Sequence, residues 1–179
     1  VHVGDVLCTD GSTVKAANYE SSGKTACGVV FYVDPTGQHG WAVKLTQSAS
    51  TFKWSSSLTD ISTLPNLTTR DAAMADTAGY GNTKKIRAAG NASLYPAAWS
   101  VDSVNGWYLP AAGQLHKLFA AANMVNNTLT ILQSAGVSIT RLTGEFYWSS
   151  SEYSGTYAWV VTYNGYLSLT NGSKTYITS

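Results

Sequence analysis

The chain has 179 residues, enough for one domain with a sizeable hydrophobic core. Only 12% of the residues are charged and the net charge is +1, so no field attracts nucleic acid or an acidic membrane surface. High apolar and aromatic content excludes a disordered chain, and no apolar run is long enough to span a bilayer. The abundance of Ser, Thr, Asn, Gly and Tyr is typical of an extracellular or cell-surface module. The chain opens on a strand-like segment and not on a signal peptide, so we expect either a cytoplasmic protein or a trimmed mature domain.

The first third of the chain has the pattern of strands separated by turns. A short strand at 3–8 is followed by the Asp10-Gly11 turn. The run of β-branched and aromatic residues at Ala26–Val33 predicts a buried strand. Asp34-Pro35-Thr36-Gly37 predicts a turn, and the alternation over 40–45 predicts a strand that pairs back with the previous one.

The helical signals lie in the middle of the chain, after a Ser- and Thr-rich stretch at 47–67 that predicts little regular structure. Four apolar residues at helical spacing predict the best helix, over Ala112–Ala122. Shorter helices are predicted at 71–78, 82–89 and 126–135, a weak helix or loop at 92–99, and a short strand at Gly106–Pro110.

The C-terminal part returns to strands. Ala158–Tyr163 and Tyr166–Thr170 are two strands joined by an Asn164-Gly165 turn, and a last strand is predicted at 174–178. The sequence therefore predicts a single domain over 1–179 of the α+β class, with small antiparallel sheets and two to four helices in the middle of the chain.

The two cysteines, Cys8 and Cys27, fall in separate predicted strands. A disulfide is open to them if those strands pair, and two buried free thiols are the alternative. Two cysteines exclude a cysteine-based zinc site, and no histidine has a partner at metal-ligand spacing. We therefore expect no metal and no cofactor.

Catalytic patterns are weak throughout the chain. No Gly-x-Ser-x-Gly elbow and no phosphate-binding loop is present. Glu145 immediately precedes an aromatic block, Phe146–Trp159, and Glu152 lies within it; the two could serve as a glycosidase pair. A structural or hydrogen-bonding role is the simpler interpretation, so the protein is predicted not to be an enzyme.

The aromatic block and the strands after it favour recognition over catalysis. Trp159, Val161 and Tyr163 alternate on one strand face and predict core, as do Phe146–Tyr153, whereas the opposite strand face is expected to point outward. Large rings among small polar residues make rigid contact surfaces. The predicted ligand-binding residues are Tyr157, Val160, Thr162, Asn164, Tyr166, Ser168, Thr170 and Tyr176.

Several segments occur together in a familiar order. Gly106-Trp107-Tyr108-Leu109-Pro110-Ala111-Ala112-Gly113-Gln114-Leu115 is followed by Tyr147-Trp148-Ser149-Ser150-Ser151-Glu152-Tyr153 and by Ala158-Trp159. With the opening Val3-Gly4-Asp5-Val6 and Gly28-Val29-Val30-Phe31-Tyr32, this order resembles bacterial C-type-lectin-like domains of surface, fimbrial-tip and phage-associated proteins.

The resemblance implies a C-type-lectin-like fold of the formylglycine-generating-enzyme variety, in which the termini pair and the C-terminal part displays a binding face. Some members are variable proteins of diversity-generating retroelements, and residues 157–178 have a composition that fits such a region. The calcium-lectin triplets and the paired C-terminal cysteines of the enzyme are absent, so neither calcium-dependent sugar binding nor oxidase activity is implied.

These observations predict a non-enzymatic adhesin or receptor-binding domain outside the cell or on a phage particle. Its partner would be a protein or glycan ligand on another cell or particle, with no nucleic acid and no direct membrane insertion. The alternatives are a glycan-acting enzyme that uses Glu145 and Glu152, and a structural subunit of a surface appendage.

Overall fold

A computed structural model describes residues 1–144, 146–163 and 167–178. The α-helices lie between residues 70 and 134, and antiparallel strands precede and follow them in the chain. The α+β class predicted from the sequence is therefore confirmed. In chain order the strands are β1 (Val6–Cys8), β2 (Thr13–Val14), β3 (Ala26–Val33), β4 (Gly40–Lys44), β5 (Phe52–Lys53), β6 (Phe146–Glu152), β7 (Tyr157–Tyr163), β8 (Leu167–Ser173) and β9 (Ile177–Thr178).

The part of the chain that the structure describes contains five α-helices, where the sequence predicted two to four. The fifth helix lies in the 92–99 segment, which the sequence left open as a weak helix or a loop. It is a single turn that begins at Pro96, whose fixed φ suits the first position of a helix. Within the described ranges, no helix combines the length and the apolar character needed to cross a membrane. The helices are α1 (Arg70–Ala75), α2 (Gly79–Ala89), α3 (Pro96–Trp99), α4 (Ala112–Ala120) and α5 (Ala122–Ser134).

The chain divides into two compact units, each built from two separate segments. Unit one comprises residues 1–47 and 117–142, and unit two comprises residues 48–116 and 143–179. The single domain expected from the chain length stays a prediction.

Unit one is built on an antiparallel sheet with strand order β2-β1-β3-β4. Gly28–Phe31 of the central strand β3 are all buried, which explains the unbroken apolar run in the sequence. α5 packs against β3. The unit-one core includes Val6, Val29, Val30, Phe119, Val125, Leu129 and Leu132.

Both cysteines of unit one are free thiols. Cys8 is buried on β1 and Cys27 is half-buried on the neighbouring strand β3. Burial raises the pKa of the Cys27 thiol, and a charge on Cys8 would raise it further. The free-thiol alternative is the one observed.

Unit two contains a three-stranded antiparallel sheet, β6-β7-β8, and a two-stranded sheet, β5-β9. Three indole N–H groups donate to backbone carbonyl oxygens: Trp54 to Ser149, Trp148 to Phe52 and Trp159 to Leu67, at 2.8–3.0 Å. The buried core cluster consists of Trp54, Ile61, Leu64, Ile86, Tyr95, Ala97, Ala98, Trp148, Ala158 and Val160.

The C-terminal strand pairs with β5, through Phe52 opposite Thr178 and Lys53 opposite Ile177. β1, near the N-terminus, pairs with β2 and β3. The pairing of the two termini, which the resemblance implied, is therefore wrong for the strands described. The C-terminal segment is held beside residues 52–55 because Ser55 N–H donates to the carbonyl of Lys174 at 2.9 Å.

The strand predicted at Gly106–Pro110 is also wrong, because residues 107–110 form no strand. The Thr83 hydroxyl replaces a strand partner there. It accepts from the Leu109 N–H and lies 3.1 Å from the Leu109 carbonyl oxygen, to which it can donate. The next carbonyl, of Pro110, accepts from Ser150 N–H at 2.8 Å. These bonds pair the Leu109 N–H and the Pro110 carbonyl without a ladder.

Candidate recognition surface

The register of the β6-β7-β8 sheet fixes which predicted residues share a face. Thr162 lies opposite Phe146 on β6 and opposite Ser168 on β8. Val160 lies between Trp148 and Thr170 in the same way. Directly opposed residues of an antiparallel sheet point to the same side. The pairing of Thr162 with Ser168 and of Val160 with Thr170 therefore places these four predicted residues on one face.

Val160 is nevertheless buried, with only 4% of its surface exposed, so its predicted outward position is wrong. It belongs to the unit-two core together with Trp148 and Ala158, which share its sheet face. The opposite face of β7 is buried as well, through Trp159 and Val161. The strand is apolar on both faces because both are covered, and alternation along the strand does not separate inside from outside.

The exposed part of this face lies at the Phe146 end of the sheet and along the outer strand β8. Phe146 is 59% exposed, Thr162 is half-buried, and Ser168 and Thr170 are exposed. These four residues form what we call the strand-end patch. It offers one aromatic ring beside three hydroxyl groups, a combination that can contact apolar groups and hydrogen-bond polar ones.

Tyr157 lies on the other face, opposite Ser173 and at the far end of β7. Its ring is exposed and makes a T-shaped contact with Tyr153, with 6.3 Å between centroids. Tyr176 is 70% exposed in the turn after β8. These two predicted residues are on the surface but outside the strand-end patch, and Asn164 and Tyr166 lie outside the described residues.

The scaffold role predicted for most of the aromatic block agrees with the structure, because Trp148 and Trp159 are buried and hydrogen-bonded. Phe146 is the exception, because the sequence predicts it as part of the scaffold whereas its side chain is mostly exposed. Its pairing with Thr162 would have revealed its position. However, the register of β6 against β7 shifts between Trp148 and Glu152, so counting back from the hairpin does not give that pairing.

Glu152, one of the two carboxylates considered for catalysis, is fully buried. Its Oε1 accepts from Lys174 Nζ, and both side chains have no exposed surface. Burial raises the pKa of Glu152 and lowers that of Lys174, while their hydrogen bond opposes both shifts. A carboxylate enclosed in this way is not placed to reach a substrate. Glu145 lies outside the described residues.

In the described part of the chain, no group of three His, Cys, Asp or Glu side chains could hold a metal ion. The expectation that the protein needs no cofactor stays a prediction.

The fold of this chain is similar to that of a known protein. No protein-family model and no curated protein matches the chain. A solved structure, that of a fimbrial protein from Bacteroides ovatus ATCC 8483, superposes with a TM-score of 0.71 at 18% sequence identity. The superposition covers 99% of this chain and 47% of the fimbrial protein, so this chain spans about half of that protein's length. At this identity the likeness shows a shared fold.

Proposed function

We propose that the chain is a non-enzymatic recognition domain of a surface or appendage protein, and that the strand-end patch binds a protein or glycan on another cell or particle. The observation that carries this proposal is Phe146, a mostly exposed ring on a strand, directly beside Thr162 and in line with Ser168. Aromatic residues held on a rigid scaffold and ringed by polar groups are typical anchors of binding interfaces. The shared fold with a fimbrial protein supports a location outside the cell.

A second candidate function uses the same patch. In it the patch contacts a neighbouring subunit, and the chain is a structural part of a surface appendage. The likeness in fold to a fimbrial protein supports this candidate. The two candidates differ in the ligand and share the surface.

We further propose that the fold is C-type-lectin-like and that residues 157–178 are diversified by a retroelement. The order of the aromatic and glycine segments along the chain supports the first proposal, and the Tyr-, Ser- and Asn-rich composition of the C-terminal strands supports the second. A near-identical template repeat and a reverse-transcriptase gene beside the coding sequence would support diversification. A complete genome neighbourhood that lacks both would refute it.

The recognition proposal is tested by screening the full chain against arrays of glycans and of extracellular proteins, and against a second sample of the chain itself. Hits are measured again with Phe146→Ala and Thr170→Lys, and with Tyr80→Ala as the matched control because Tyr80 is an exposed ring on α2. Loss of binding in the first two variants alone is expected. Unchanged binding in both would show that the strand-end patch is not the interface.

A further inference from the structure

Unit two also contains a cleft that is separate from the strand-end patch. It is a cleft of about 390 Å³ between the 57–63 loop and the second half of α2. The loop contributes Thr59 and Asp60, and α2 contributes Lys85, Ala88 and Ala89. Leu94 also lines the cleft. The volume is within the range of small-molecule sites in proteins.

The loop wall of this cleft is held from behind by buried charges. Lys174 Nζ donates to the carbonyl of Thr59 at 2.9 Å, and Glu152 Oε1 accepts from Ile61 N–H at 3.4 Å. The exposed residue between them is Asp60. The two bonds fix the backbone on both sides of an acidic side chain that lines the cleft.

Asp60 is positioned by two further contacts. Its Oδ1 accepts from the Asn66 side-chain amide at 2.9 Å. Gly155 lies so close that an added Cβ would sit 3.3 Å from the Asp60 backbone nitrogen and Cβ. An exposed carboxylate on a surface loop is normally mobile, whereas this one is packed, hydrogen-bonded and supported by a buried ion pair.

A buried ion pair adds little to the stability of a fold, because the desolvation of two charges offsets their attraction. Two apolar side chains in the same place often give equal stability. What Lys174 and Glu152 achieve is a fixed 59–61 backbone. Preorganised polar groups bind a ligand at a smaller entropy loss. The pair therefore supports the loop wall of the cleft.

The chemistry of the walls indicates the class of ligand. Asp60 and Lys85 bring one charge of each sign, so their charges give the lining no excess that would select an anion or a cation. A carboxylate accepts hydrogen bonds, an ammonium group donates them, and the hydroxyl groups of the loop do both. The apolar side chains of Ala88, Ala89 and Leu94 suit a face of C–H groups.

We propose that this cleft binds a neutral sugar ring, such as one hexose residue of a glycan. The ring's neighbouring hydroxyl groups donate to Asp60 and accept from Lys85, and its C–H face lies on Ala88, Ala89 and Leu94. This site is independent of the strand-end patch and gives the domain a second point of contact with a glycan-coated surface.

The test titrates the full-length chain with free glucose, galactose, mannose, fucose and N-acetylglucosamine, and follows the NMR signals of the Ala88 and Ala89 methyl groups. At least one sugar should shift both signals saturably. Asp60→Asn and Lys85→Met should each weaken that binding about tenfold, the effect of one lost hydrogen bond to a charged group. Ala88→Phe, which fills the cleft from an exposed position, should abolish binding.

Three matched variants serve as controls and should bind as wild type. They are Asp71→Asn, Lys84→Met and Ala120→Phe, which change exposed residues on helices and do not line the cleft. Phe146→Ala should also leave sugar binding unchanged, and this separates the cleft from the strand-end patch. The inference is overturned if no sugar shifts the methyl signals, if the cleft variants bind as wild type, or if the controls lose binding equally.

Discussion

Lys174 and Glu152 form a fully buried ion pair that joins the residue after β8 to the last residue of β6. The ammonium group also donates to the Thr59 carbonyl and lies 4.6 Å from the centre of the Trp54 ring. The second carboxylate oxygen, Oε2, has no hydrogen-bond partner among the described residues. The pair thus connects three segments of unit two at one point, and its charges depend on each other.

Replacement of the lysine alone should strongly destabilise the fold. Lys174→Met leaves a buried carboxylate without its partner and should lower the free energy of unfolding by about 3–5 kcal/mol. The double variant Lys174→Met/Glu152→Leu removes both charges and should recover most of that loss. Urea denaturation of the two variants and the wild type measures both effects. Equal destabilisation of the single and double variants would point to lost packing instead of an unpaired charge.

The same single variant should respond to pH. Burial already raises the pKa of Glu152 above the ordinary 4.5. Loss of the ammonium group removes the hydrogen bond and the positive charge that oppose this rise. Between 4.5 and the higher folded pKa, the folded state binds the proton that the unfolded state releases. The stability of Lys174→Met should therefore increase as the pH falls toward 4.5, relative to the double variant. A pH-independent difference between the two would contradict this.

Two helical glycines should respond in opposite ways to alanine. At Gly113, near the start of α4, a Cβ would overlap the carbonyl oxygen of Met74 and lie 2.6 Å from that of Asp76, so Gly113→Ala should cost about 3 kcal/mol. At Gly81 in α2 nothing lies within 4 Å, and Gly81→Ala should stabilise by about 1 kcal/mol through helix propensity. Thermal unfolding measures both. A tolerated Gly113→Ala would show that the two segments can separate without loss.

Replacement of Arg87 by lysine should lower the stability of the fold. Its guanidinium group donates to the carbonyls of Ala98 and Val101 at 3.0 Å and to the Ser103 hydroxyl, and it lies 4.6 Å from the Trp99 ring. An ammonium group cannot make this fan of bonds. Arg87→Lys should cost about 2 kcal/mol and increase proteolysis within residues 99–105. Lys84→Arg on the same helix is the control and should leave both readouts unchanged.

The two thiols should differ in reactivity. In the native protein, iodoacetamide at pH 8 should modify Cys27 more slowly than an unfolded peptide thiol, because burial raises its pKa and lowers its thiolate fraction. Cys8 is buried and should not react. In denaturant without a reductant, mass spectrometry should show both cysteines modified. A protein that takes up label only after reduction would contradict the free-thiol state.

Local sequence patterns determined the elements whose signal is contained within the element. The apolar run between two turns predicted β3 with the observed bounds, Ala26–Val33, and apolar residues at helical spacing predicted α4 to within two residues. Turn residues flank β3 in the sequence, whereas the apolar stripe alone marks α4, which ends at Ala120 without a glycine or proline.

Only the tertiary structure decided which side chains of the C-terminal sheet are accessible. Val160 was predicted outward and is buried, whereas Phe146 was predicted as scaffold and is exposed. Both lie on one sheet face. The unit-two core covers Trp148 and Val160 on this face, but it leaves open Phe146, two residues from Trp148 on β6, and Thr170, opposite Val160 on β8. Period-two alternation assigns a side of the sheet, but the extent of the cover depends on segments distant in the sequence, such as the one that carries Trp54. The burial of Lys174 has the same origin, because its partners Glu152 and Thr59 approach it only in the folded chain.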